Sequence, residues 1–83
     1  MDIVVPLTLE AVRLVVQMCP KRFDSTPEDL YDLFYTRMPY TCIYIYSNGE
    51  YYFKTEAGLK GRQYVPVTIE EARERLFILS LGT

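Results

Sequence analysis

The sequence contains no histidine. That removes the commonest general base at neutral pH, and with it the Ser-His and Cys-His pairings that activate nucleophiles. Cysteine occurs only twice, at Cys19 and Cys42. Two cysteines without histidine make a zinc site within one chain improbable. Their spacing matches no metal or redox motif, and each sits in an apolar pattern. Both are therefore read as free, buried thiols rather than as a disulfide or a reactive pair. The few glycines form neither a phosphate-cradling loop nor a dinucleotide fingerprint. The expectation is a protein that is not an enzyme and carries neither cofactor nor metal.

No charge sign dominates either. Nine basic and 11 acidic residues leave a net charge of −2, so whole-molecule attraction to nucleic acid or anionic lipid is not expected. Long hydrophobic runs are missing too. The longest apolar-rich segment, Leu9 to Cys19, is broken by Glu10, Arg13 and Gln17 and is too short to span a bilayer. Asp2 stands where a secretory signal wants positive charge. These absences point to a cytoplasmic protein with no membrane contact.

What is present is the composition of a small globular unit. Of the 83 residues, 49% are apolar and 24% charged, which is enough apolar content for a core and too much for disorder. One domain over residues 1–83 is expected. A chain this short buries only about 60–65% of the surface its unfolded form exposes, so its stability should be marginal.

Residues 8–19 read as a helix, with Glu10, Arg13 and Gln17 on the polar side and Leu9, Val12, Val15, Val16 and Cys19 on the apolar side, while the β-branched Val12, Val15 and Val16 leave a strand as the alternative. Thr8 would cap it and Pro20 stop it. A second helix is expected over 27–38. Thr26 caps it, Pro27 opens it, and Leu30, Leu33, Phe34 and Met38 mark one face. Asp24, Glu28, Asp29 and Asp32 crowd its start. They are read as compensation of the helix dipole on a solvated face rather than as a cation site. The short link from Lys21 to Ser25 favours a helical hairpin.

The clearest signal is Asn48-Gly49 between two aromatic-rich runs, 40–47 and 50–55. Asn-Gly is the preferred pair for a two-residue type I′ hairpin turn. That turn pairs Ser47 with Glu50, Tyr46 with Tyr51, Ile45 with Tyr52, Tyr44 with Phe53 and Ile43 with Lys54. One face then carries Cys42, Tyr44, Tyr46, Tyr51 and Phe53. The other carries Ile43, Ile45 and Tyr52 with Lys54, Ser47 and Glu50. A glycine-containing loop over 56–61 and a short strand over Arg62–Val67 follow, with Pro66 marking an edge. Thr68 and Glu71 form a capping box for a last helix with Ile69, Ala72, Leu76 and Leu79 on one face and Gly82 at its stop. The order α-α-β-β-β-α gives an α+β fold, a three-stranded antiparallel meander packed against helices.

Helices can cover one face of such a sheet, and 83 residues hardly suffice to cover both. The face left over exposes tyrosines, which are enriched at protein contacts. The first functional expectation is a non-enzymatic module that binds another protein. Its contact residues would be Tyr44, Tyr46, Tyr51 and Phe53, or the Tyr52 face, with Lys54 and Glu50 at the rim. Size and acidic composition match small inhibitors or adaptors of phages and mobile elements, an analogy of size and composition only. Phe77, Ile78 and Leu81 lie off the main stripe of the last helix and favour a homodimer. The alternative is single-stranded nucleic-acid binding, by the same aromatics with Lys54, Lys60 and Arg62.

Overall fold

The computed structural model describes residues 2–18 and 25–81, with side chains to residue 78. Cys19, Pro20, Lys21, Asp24 and Gly82, with the roles expected of them, and the side chains of Leu79 and Leu81 lie outside the described residues. The fold is a small α+β domain, as expected: helices pack on a four-stranded mixed sheet. The strands are β1 (Ile3–Pro6), β2 (Cys42–Ile45), β3 (Tyr51–Lys54) and β4 (Val65–Pro66), and the helices are α1 (Leu9–Met18), α2 (Pro27–Tyr31) and α3 (Ile69–Leu81).

The meander needs correction. A strand at Ile3–Pro6 was not expected, and it occupies the interior of the sheet. The spatial order is β3-β2-β1-β4. β1 pairs antiparallel with β2 and parallel with β4, so β4 does not extend the hairpin but joins the opposite edge. Ile3, Val4 and Val5 are all buried, the pattern of a strand covered on both faces.

The hairpin register is also shifted by one residue. Ile45 pairs with Tyr51, Tyr44 with Tyr52, Ile43 with Phe53 and Cys42 with Lys54. The turn is the reason. Asn48 does not adopt positive φ, which a type I′ turn demands of both central residues; Gly49 alone in the turn does, at 91°. The Gly49 amide donates to the Tyr46 carbonyl at 3.0 Å and the Tyr46 amide to the Glu50 carbonyl at 2.8 Å. The connection is thus the three-residue loop Ser47-Asn48-Gly49, which ends on a left-handed glycine. The Asn48 side chain accepts from the Glu50 amide at 2.9 Å and holds the loop. A one-residue slip moves every side chain of β3 to the opposite face.

The inner face therefore carries Ile3, Val5, Ile43, Ile45, Tyr51 and Phe53, packed with Val12, Val15, Leu30 and Leu76 in the main core. Thr8 caps α1 by accepting from the Ala11 amide at 3.1 Å, and Thr26 caps α2 by accepting from the Asp29 amide at 3.2 Å. Beyond Tyr31 the expected α-helix widens into a π-helix over Asp32–Arg37, closed by the Met38 amide donating to the Leu33 carbonyl. Phe34 then stacks on Phe53 at 4.2 Å between centroids, while Leu33 and Met38 face solvent, each 40% exposed. The capping box holds: the Glu71 amide donates to the Thr68 hydroxyl at 3.2 Å, and the Thr68 amide to the Glu71 carboxylate at 3.4 Å.

Candidate functional site

The connection between β3 and β4 starts at one edge of the sheet and must reach the other. It crosses on the face away from the helices. A short 3₁₀ turn, Ala57–Leu59, drops Leu59 onto Val4, Cys42 and Tyr44, and these four residues form a second, smaller core. Tyr46 and Tyr64 pack against it half-buried. The outer face is thus roofed by its own chain, over the columns of β1 and β2.

Tyr44 is the centre of this arrangement and only 2% exposed. Its hydroxyl donates to the Asp2 carboxylate at 2.7 Å. The other oxygen of that carboxylate accepts from the Ser47 amide at 2.9 Å, so Asp2 clamps the hairpin loop. Arg62 lies over the Tyr44 ring, 5.5 Å from its centroid. The same guanidinium donates to the Gly58 carbonyl at 3.3 Å and to the Tyr46 hydroxyl at 3.4 Å. Burial first, then the hydrogen bond to Asp2 and its charge, push the Tyr44 phenol above its ordinary value. Cys42 is a free, buried thiol that donates to the Lys54 carbonyl at 3.3 Å. Burial, above all, pushes it up as well, so it is held as an unreactive thiol.

The residues expected to form one contact face are therefore separated. Tyr51 and Phe53 lie in the main core and Tyr44 in the small one; all three are buried, which corrects their expected exposure. The register slip accounts for the first two and the crossing loop for the third. Tyr46, Tyr52, Lys54 and Glu50 remain at the surface. Tyr46 and Tyr52 meet edge-to-face at 5.4 Å, and the Lys54 ammonium stands 5.7 Å from the Tyr52 centroid. Asp2 and Leu59 were missed as parts of this face. The position of Leu59 as the lone large apolar residue in a polar loop was the available signal for a roof.

Of the acidic group, Glu28 pairs with Arg13 at 3.0 Å and Asp32 with Arg37 at 3.7 Å. The Arg13 hydrogen bond lowers the Glu28 carboxyl from its ordinary value. Among the described residues no group of three or more potential metal ligands occurs, and no helix is long and apolar enough to cross a membrane. On α3, Phe77 and Ile78 are exposed.

Comparison with protein-family models, with curated proteins and with solved structures finds no significant match.

Proposed function

We propose that the chain is a non-enzymatic protein-binding module whose contact patch is Tyr46, Tyr52 and Lys54, with Glu50 at the rim. The observation that supports it most is the Tyr46–Tyr52 edge-to-face pair, half-buried on the sheet face opposite the described α-helices. Tyrosines of this kind present a large apolar ring with few torsions to freeze, and a hydroxyl able to find a partner. Arg62, held at the surface by the Gly58 carbonyl, the Tyr46 hydroxyl and the Tyr44 ring, stiffens the Tyr46 side of the patch before any partner arrives. An inhibitor or adaptor role suits so small a unit. Self-association through Phe77 and Ile78 on α3 is a separate part of the reading, and the free thiol of Cys42 suits a reducing, cytoplasmic setting.

The test compares wild type with a Tyr46→Ala/Tyr52→Ala variant, each immobilised and exposed to the same lysate. Both must give the same circular dichroism spectrum. The expected result is a protein retained by wild type and lost by the variant. Equal retention by both would end the reading.

The position of Lys54 beside the Tyr52 ring, and of Arg62 beside Tyr46, supports a second reading, single-stranded nucleic-acid binding, to which Lys60 of the same loop as Arg62 would add charge. That reading requires salt-dependent affinity for an oligonucleotide. No change in fluorescence anisotropy at about 50 mM salt, where phosphate contacts are strongest, would remove it.

A further inference from the structure

The roof over the outer face does not reach β4, and a groove of about 730 Å³ is left between the crossing loop and the entry to α3. Its apolar lining includes Val4 and Cys42 from the sheet and Leu59 and Tyr64 from the loop. Two carboxylates line it from separate elements: Glu56 at the start of the 3₁₀ turn and Glu71 in the first turn of α3.

These two acids differ in what occupies them. Glu71 is partly spent, since Oε1 accepts from the Thr68 amide and lies 3.2 Å from its hydroxyl. Glu56 stands at the N-cap position of the 3₁₀ turn but makes no capping hydrogen bond with its side chain. It is exposed, and no salt bridge engages it among the described residues. At Cys42, where burial is the main cause holding the proton, the Glu56 charge adds to that hold and Lys54 opposes it.

An apolar channel with a tyrosine ring and carboxylates from two elements has the complement of one side chain in particular. Arginine carries an apolar stem, a weakly hydrated planar head that stacks on aromatic rings, and a fork of donors that suits carboxylate oxygens. Lysine shares the stem but offers a compact, strongly hydrated charge that gains less from the ring. We infer that this groove receives an arginine side chain from a partner protein, with its stem along Val4, Cys42 and Leu59 and its guanidinium between Glu56, Glu71 and Tyr64. The inference rests on the reading of the chain as a protein-binding module, but it uses none of the residues of the tyrosine patch.

The experiment is a titration of the full chain, labelled with ¹⁵N, with the blocked tripeptide acetyl-Gly-Arg-Gly-amide. The control is the same peptide with citrulline, which keeps the shape and removes the charge. Saturable shifts are expected at the amides of Val4, Cys42, Leu59 and Val67 with the arginine peptide. Glu56→Gln, at an exposed position, keeps the wild-type spectrum elsewhere and weakens binding about tenfold, the ordinary worth of a charge-assisted hydrogen bond. The Tyr46→Ala/Tyr52→Ala variant binds the arginine peptide as wild type does, so failure of the patch and failure of the groove are told apart. Absence of saturable shifts, equal response to the citrulline peptide, or indifference to Glu56→Gln would each overturn the inference.

Discussion

The Tyr44 hydroxyl donates to the Asp2 carboxylate at 2.7 Å, joining two residues 42 positions apart in the chain. The bond ties the strand beneath the roof to the residue that enters β1, and through Ser47 it ties both to the hairpin loop. Tyr44→Phe keeps the ring and its contacts with Tyr46, Tyr64 and Arg62, and deletes only the donor. The variant is expected to lose about 1–2 kcal/mol, the worth of a hydrogen bond to a charged acceptor in a part-buried place. Urea unfolding, read as a lower midpoint at unchanged slope, measures it.

The register makes neighbouring residues of β3 respond oppositely. Phe53 is packed under Phe34 in the main core, whereas Tyr52 lies half-buried on the outer face. Phe53→Ala is expected to cost about 3–5 kcal/mol through lost burial and an unfilled cavity. Tyr52→Ala removes an edge-to-face cross-strand pair and should cost about 1 kcal/mol. Equal costs, or the reverse order, would mean that the strand is paired the other way.

In the hairpin loop the backbone demand falls on one residue. Gly49 has φ of 91°, and Asn48 has negative φ. Gly49→Ala is expected to cost about 1–2 kcal/mol, the penalty of a Cβ in the left-handed region. Asn48→Ala loses only an exposed side-chain bond and should cost about 0.5–1 kcal/mol. Thermal unfolding of the two variants side by side gives the comparison.

Two protons under the roof link stability to alkaline pH. The folded state holds the Cys42 and Tyr44 protons more tightly than the unfolded chain does. Below about pH 8.5, where an unfolded thiol keeps its proton, their contribution is complete. As pH rises past that value, and past about 10 for the phenol, the unfolded state gains by ionising while the folded state does not, so stability falls. Cys42→Ala is expected to lie below wild type near pH 8 and to close part of that gap by pH 10. Urea midpoints of both proteins across that range decide it.

What was legible in the sequence was local. The helix starts at Thr8, Thr26 and Thr68 rest on hydroxyls placed three residues before the amides they cap, and no distant contact is needed to see them. The hairpin was legible for the same reason. Its register was not, because Asn-Gly serves both a two-residue turn and the end of a three-residue one, and a single residue of loop length decides which face each tyrosine takes. β1 was missed because Ile3-Val4-Val5-Pro6 is too short to show a period. It becomes a strand only through partners at 42–45 and 65–66. The candidate site was legible only in its tyrosine content: which tyrosines face outward depends on the register, and the burial of Tyr44 required knowing that Leu59, 15 residues later, would cross over it.

The interior place of β1 carries a consequence for synthesis. This strand is made before both of its neighbours in the sheet, β2 and β4. Until Val65 has been made, one of its edges has no ladder to join. Until then Ile3, Val4 and Val5 lack their full ladder, and long-range pairing of this kind is intrinsically slow to form. The Pro6 at the end of the strand, which cannot donate to a foreign ladder, is well placed to shorten the stretch at risk.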